Sequence, residues 1–271
     1  MKCSNTISKK AYAKINLVLN VVGIQGKMHL IDSIVTPFNI YDTVHIEKRK
    51  DREIFVNYTN GQKFENDTAY KMATLITKRY KLSGVNIEIE KRIPQKAGIG
   101  GSSADAGAVA RGMQQLFGLQ EIPFELLLEV GSDVPYMYLG GNKRIQGVGE
   151  KVSSVSLPKL YKVLVVDGIG VDTKQSYQNY DLYGGENQDI DKFLVDVHNG
   201  SATFTNALQK GSMKLNKNIK ESIQALKECG FAACMTGSGS GVFGIEYDKA
   251  SFDYKLTKLI KRRPDLQFFI G

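Results

Sequence analysis

The sequence predicts an α+β fold in two parts, and three observations predict it. The first hundred residues are strand-rich with one inserted helix. A glycine-rich turn at residues 98–101 then gives way to an alanine-rich helical pattern that runs to Leu116. After the polar, proline-containing stretch SSVSLPKLY, a second block of strands and helices opens with the apolar run KVLVV. Chain boundaries fall in such stretches, so the two parts are read as 1–156 and 157–271. A chain of 271 residues is long enough for two domains.

The elements follow in order. Residues 11–22, AYAKINLVLNVV, carry β-branched and aliphatic side chains at near-alternate positions and read as a strand. GIQGKMH (23–29) is a turn-rich loop. IDSIVTPF and DTVHIEK read as two further strands, with Pro37 near an end of the first. Strands at 54–58 and 85–92 flank a helix in which Ala69, Met72, Ala73, Leu75, Ile76 and Tyr80 recur at helical spacing, with Asn66 or Asp67 as its cap. Helices are expected at 102–116 and 123–130. In the second part a strand at 162–166 is followed by helices near 174–178, 189–197, 202–208 and 216–229. Strands at 231–235 and 241–246, a helix at 249–262 and the apolar end QFFI complete it.

Composition narrows the function. Apolar residues make up 42% and charged residues 24%, which excludes a mainly disordered chain. Lys and Arg outnumber Asp and Glu by 36 to 28, so the chain carries +8 and attracts polyanions: nucleic acid, acidic lipid or phosphorylated small molecules. No apolar run approaches the roughly 20 residues that span a bilayer. The N-terminal apolar stretch is broken by Lys14, Asn16 and Asn20, which spoils a secretory signal. A cytoplasmic protein without a membrane partner is expected. Cys3, Cys229 and Cys234, an odd set without CxxC, read as reduced structural thiols. The three histidines, His29, His45 and His198, have no metal-ligand spacing, so a protein-ligated metal is not expected.

The strongest local signal is KRIPQKAGIGGSSADAGAVARGMQQL, 91–116. Its glycines allow backbone N–H groups to approach a ligand closely, and a helix N-terminus adds unpaired donors and partial positive charge. Together these make a phosphate cradle. The alternative is a tight turn with Ser102 or Ser103 as a helix cap. The loop is not a Walker A motif, because Lys96 precedes the glycines, and it lacks the Rossmann fingerprint. A second segment, MTGSGSGVFGI (235–245), has glycines alternating with Ser238 and Ser240; alone it reads equally well as a flexible hairpin. Asp133 lies in a loop beside Pro135, where a capping role competes with that of a proton acceptor. Lys14, read alone, is a solvent-facing edge-strand lysine.

Taken in order, AYAKINLVLNVVG, MHLIDSIVTPFNIYDTVHIE, RIPQKAGIGGSSADAGA, GSDVPYMYLGGNKRIQGVGEKV and MTGSGSGVFGI resemble a GHMP-type small-molecule kinase over most of the chain, least from about 178 to 230. The resemblance implies an N-terminal ATP-binding domain similar to ribosomal protein S5 domain 2 and a ferredoxin-like C-terminal domain. It implies transfer of the γ-phosphoryl group of ATP, with Mg2+, to the 2-hydroxyl of a diphosphocytidyl acceptor. Asp133 matches the catalytic base and Lys14 the lysine beside it. Asn16, His29, Met28 and Tyr177 match acceptor-binding positions, His29 on the cytosine side. Met28 stands where the family usually has a stacking Tyr, and Tyr177 is near the other expected stacking position. Pro94, Lys96, Ala97, Gly98, Ile99, Gly100, Gly101, Ser102, Ser103 and Ala104 match the triphosphate loop. Asn66 falls where the family approaches adenine, and Gly237 with Ser238 matches the third motif, which closes over the site. A kinase with a different alcohol acceptor and a nucleic-acid-binding protein on the same fold are the alternatives. Against the second, the basic residues are dispersed without interleaved aromatics. The expected partner is thus a small molecule bearing a nucleotide diphosphate, not nucleic acid, with the chain a monomer or homodimer.

Overall fold

The computed structural model describes residues 5–271; Cys3 lies outside them. In chain order the elements are β1 (Thr6–Gln25), β2 (Met28–Lys48), β3 (Ile54–Tyr58), α1 (Thr68–Tyr80), β4 (Val85–Glu90), α2 (Gly101–Phe117), α3 (Phe124–Val130), α4 (Val134–Leu139), β5 (Lys143–Gly147) and β6 (Lys151–Ser154). They continue with β7 (Tyr161–Val166), α5 (Thr173–Tyr183), α6 (Ile190–His198), β8 (Thr205–Asn206), α7 (Gln209–Leu215), α8 (Asn218–Glu228), β9 (Ala232–Met235), β10 (Val242–Glu246), α9 (Lys249–Arg262) and β11 (Gln267–Ile270). Among the described residues, no helix is long and apolar enough to cross a membrane.

Backbone contacts divide the chain into two compact units that interleave in sequence. The first holds the described residues up to Ala13 with Ile40–Ile93 and Gly100–Gly140; the second holds Lys14–Asn39, Pro94–Ile99 and Gly141–Gly271. The long strands β1 and β2 each contribute to both.

In the first unit, Thr43–Lys48 of β2 pair antiparallel with β4, and β3 pairs parallel with β4. Helix α1 forms because Asp67 accepts from the Tyr70 N–H at its start while Lys78 and Arg79 sit in its last turn. Its apolar stripe of Ala69, Met72, Ala73 and Ile76 is buried, and α1 packs on α2, which packs on α4. The small residues of α2, Ala104, Ala106, Gly107, Ala108, Ala110 and Gly112, let its neighbours approach closely.

In the second unit, β7, β9, β10 and β11 form an antiparallel sheet in the order β11-β7-β10-β9. Numbered within that block, the order is 4-1-3-2, with α5 to α8 between the first and second strands and α9 between the third and fourth. Val163, Val165, Ile219, Leu226, Met235, Val242, Phe252 and Leu259 fill its core. Ile31–Val35 of β2 pair antiparallel with β5, β5 with β6, and Val18–Leu19 of β1 parallel with β8.

Among the expectations that change are these. The two strands around Pro37 are one, β2. Pro37 falls between the ladder to β5 and the ladder to β4, so its missing N–H removes no bond from either. Residues 202–208 are not a helix: Thr205–Asn206 pair with β1 and the Leu19 carbonyl accepts from Ala207 N–H. The stretch 216–229 begins only at Asn218, with α7 preceding it. The loop at 131–141 contains α4, a single short helix whose first turn accepts Pro135.

Candidate active site

Lys14 and Asn16, two apart on β1, share a face of the strand. Lys14 is only 4% exposed, so it is not a solvent-facing edge lysine. The reason is that β1 is buried on both faces from Ala13 to Val21, and a cation there needs polar partners. Lys14 Nζ donates to Asn16 Oδ1 (2.6 Å), Asn16 Nδ2 to Ser33 Oγ (2.8 Å) and Ser33 Oγ to the Val18 carbonyl (2.6 Å). This relay fixes which end of the Asn16 amide faces the ammonium. Ser33 and Thr236 lie within the quoted motifs, but the sequence reading does not single them out.

The backbone of the same strand segment touches both glycine-rich segments. Lys14 N–H donates to the Ile99 carbonyl (3.0 Å) and Asn16 N–H to Thr236 Oγ1 (2.9 Å). The two segments also meet each other. Gly241 N–H donates to the Ala97 carbonyl (3.0 Å). Gly98, at φ +71°, lies so close that a Cβ there would sit 2.4 Å from the Thr236 carbonyl oxygen, and a Cβ on Gly237 (φ +55°) would sit 2.3 Å from the Gly98 oxygen. Backbone packs on backbone, which only glycine permits at these positions. Lys96, just before, holds φ +53°, and its carbonyl accepts from Val171 N–H.

Of the flexible-hairpin reading of 235–245, the hairpin holds, since the segment joins antiparallel β9 and β10, but its tip is tethered. Thr236–Gly241 is buried throughout. Asn206 Nδ2 donates to the Met235 and Gly237 carbonyls, Ser212 Oγ to the Ser238 carbonyl, and Ser240 Oγ to Asp167. Ser238 Oγ lies 3.0 Å from Thr173 Oγ1. Side chains from β8, α7 and α5 therefore hold the segment in place.

Of the acceptor-side candidates, His29 and Tyr177 come together: their rings stack with centroids 4.7 Å apart, and Tyr180 meets His29 edge-on. His29 Nε2 lies 2.7 Å from Asp181 Oδ1, an α5 carboxylate the sequence reading missed. Met28 is 51% exposed.

The remaining candidates belong to the first unit. Helix α2 starts at Gly101 with Gly100 as its cap (φ +74°), so Ser102 and Ser103 lie in its first turn and neither is the cap. A glycine cap has no side chain to satisfy the first N–H groups. The Ser102 carbonyl accepts from Thr68 Oγ1 (2.7 Å). Ser103 Oγ lies within 3.9 Å of where a Gly131 Cβ would be, so the first turn of α2 adjoins the segment leading to Asp133. Asp133 occupies the position before α4 without making a side-chain capping bond. The carbonyls of Met137 and Tyr138 in α4 accept from the Arg111 guanidinium, which burial shifts below the usual arginine range. Asn66 is exposed and precedes the capping Asp67. Among the described residues, no group of three or more His, Cys, Asp or Glu could hold a metal ion.

Two family models match the chain: the GHMP kinases N terminal domain over residues 67–141 and the GHMP kinases C terminal domain over 186–251. A 4-diphosphocytidyl-2-C-methyl-D-erythritol kinase of Clostridium tetani is 34% identical over 250 residues, covering 87% of this chain and 89% of that one. Its counterpart in Clostridium botulinum strain Eklund 17B is 36% identical over 269 residues, covering 92% and 95%. A crystal structure of 4-(cytidine 5'-diphospho)-2C-methyl-D-erythritol kinase superposes with a TM-score of 0.82 at 27% identity, covering 98% of both chains. The homoserine kinase of Cytophaga hutchinsonii, at 14% identity and a TM-score of 0.72, shares the fold.

Proposed function

The chain belongs to the 4-diphosphocytidyl-2-C-methyl-D-erythritol kinase family of GHMP kinases, and we propose that it transfers the γ-phosphoryl group of ATP to the 2-hydroxyl of that cytidyl alcohol, a step of non-mevalonate isoprenoid precursor synthesis. The observation that carries this reading is the joining of Lys14 and Asn16, through their own backbone N–H groups, to both glycine-rich segments. A kinase of this kind needs its polar side chains fixed against its phosphate loop.

In this reading Asp133 accepts the proton of the acceptor hydroxyl, the hydroxyl oxygen attacks the γ-phosphorus, and ADP leaves. Lys14 takes the family's lysine position in this scheme. The loop from Pro94 to Ala104 holds the triphosphate on backbone N–H groups and the α2 N-terminus, Asn66 approaches adenine, and Gly237 and Ser238 border the loop. The hydroxyls of Ser102 and Ser103 would hold an ATP-bound Mg2+, which would supply neutralisation of phosphate charge. Asn16, His29, Met28 and Tyr177 bind the acceptor. As domains, 1–156 is read as the ATP-binding part and 157–271 as the C-terminal part. The reaction is placed in the cytoplasm, with no nucleic acid or membrane as partner.

A second reading keeps the chemistry and changes the acceptor. It is favoured by Met28, half-exposed where an aromatic platform is expected, and by the Tyr177 ring, which already stacks on His29. A panel of alcohols assayed with ATP and Mg2+ decides between them. ADP release with the cytidyl substrate supports the first; release only with another alcohol selects the second. Asp133→Asn should lower turnover at least a hundredfold with acceptor binding kept, and a near-parental rate removes Asp133 as the base.

A further inference from the structure

The triphosphate loop has two stems, the end of β4 and the first turns of α2, and one buried cluster touches both. Asp42, fully buried on β2, accepts from the backbone N–H groups of Arg92 and Ile93 through Oδ1, and from Lys91 Nζ through Oδ2. Lys91 Nζ also donates to Asp105 Oδ2 on α2 at 2.7 Å. The three side chains are 0%, 8% and 3% exposed. The stems touch directly as well: a Cβ on Gly101 would lie 3.1 Å from Ile93 Cγ2 and 3.7 Å from Lys91 Nζ.

Such a cluster is an expensive way to gain stability. Two carboxylates share one ammonium away from water, and Asp105 Oδ1 is buried with no partner in the described structure. Buried ion pairs of this kind seldom stabilise more than packed apolar side chains would. What they do supply is fixed geometry, since hydrogen bonds to a carboxylate are directional where apolar contacts are not. Here the geometry fixed is the separation of the residue before Pro94 from the helix that begins at Gly101.

We propose that Lys91, Asp42 and Asp105 are positioning residues that set the stem spacing of the phosphate loop, and through it the affinity for a nucleoside triphosphate. None of the three reaches substrate in this scheme; they act on the backbone N–H groups that do. The proposal rests on the reading of 94–104 as the triphosphate loop.

The test uses the full chain as Lys91→Met, which keeps length and removes both links, and as Asp105→Asn, which keeps an acceptor oxygen for Lys91. Two quantities are measured: amide hydrogen exchange across 94–104 without ligand, and the KM values for ATP and for the acceptor. Lys91→Met is expected to speed exchange in 94–104, with the β7 and β10 amides unchanged, and to raise the KM for ATP tenfold or more with the acceptor KM within twofold. Asp105→Asn is expected to recover most of both. Unchanged exchange in the loop, or exchange raised equally throughout the chain, overturns the proposal. So does Asp105→Asn behaving as badly as Lys91→Met. Faster loop exchange with the KM for ATP unmoved confirms the pinning and removes its link to nucleotide affinity; the reading of the loop then fails separately.

Discussion

Gly107 sits in the interior of α2, where alanine should be the better residue by about 1 kcal/mol. Its neighbour reverses that. A Cβ there would lie 2.7 Å from the carbonyl carbon of Met137 and 2.9 Å from that residue's Cβ and carbonyl oxygen. Carbon atoms in contact settle no closer than about 3.5 Å, so α4 must retreat by roughly 0.8 Å. Overpacking of this kind costs about 1–3 kcal/mol, which the helix-propensity gain partly offsets. Gly107→Ala should therefore lose no more than about 2 kcal/mol, or roughly 4–8 °C in melting temperature. Asp133, the proposed base, immediately precedes α4, and a displacement near 1 Å at such a group can cost about a hundredfold. The expected result is a ten- to hundredfold fall in kcat by ADP release, with the KM for ATP little changed. A variant with parental kcat would refute the idea that Gly107 sets the place of Asp133. An equal rise in the KM for ATP would locate the damage in the phosphate loop instead.

Three further outcomes are expected. Ser33→Ala leaves the Asn16 amide donor unpaired in a buried setting and should destabilise by about 1–3 kcal/mol in urea titration; an unchanged midpoint would mean the relay is not needed. Glu246 is held down at about 2: burial opposes ionisation, but hydrogen bonds from Lys255, the Tyr247 N–H and Ser251 outweigh it. A depressed carboxyl stabilises above its unfolded value and loses that contribution as pH falls, so stability should drop between pH 4.5 and 2, and Glu246→Gln should flatten that portion of the curve. Burial pushes the Cys234 thiol up to about 12, so iodoacetamide at pH 8 should leave it unmodified in the native protein and label it after unfolding, by mass spectrometry.

How far the sequence could be read depended on whether a residue's partners were near it in the chain. The α1 helix was legible because its cap, its apolar stripe and its basic last turn all lie within sixteen residues. The span of α9 was legible for the same reason, with Asp248 capping at Ser251 N–H and basic residues at the end. Residues 202–208 misled because β8 exists only through its pairing with β1, nearly two hundred residues earlier. Lys14 misled in the same way. An edge strand and a doubly buried strand can each tolerate one lysine, and only the position of Asn16, Ser33 and the two glycine-rich segments separates the two cases. The family's ordered motifs pointed to Lys14 and Asp133, but Asp181 stands outside them, and Thr236, inside one of them, and Arg111, inside the 91–116 segment, are not singled out by the pattern.

The basic surplus fits the same distinction. In KLTKLIKRR, residues 255–263, three of the five cations have local partners: Lys255 pairs with Glu246, Arg263 with Asp265, and Lys258 donates to the Glu228 carbonyl. The cation inside the stems of the proposed phosphate loop, Lys91, is likewise engaged by two buried carboxylates. A loop that presents unpaired backbone N–H groups at a helix start needs no lysine of its own to receive phosphate, and the glycine cap at Gly100 is what leaves those groups unpaired. The net charge of +8 is therefore weak evidence for the ligand. Attraction of ATP to this chain should follow substitution of loop glycines far more closely than neutralisation of the α9 lysines. A charge-neutral α9 with parental KM for ATP, set beside a Gly100→Val chain that has lost it, is the pair of results this physics requires.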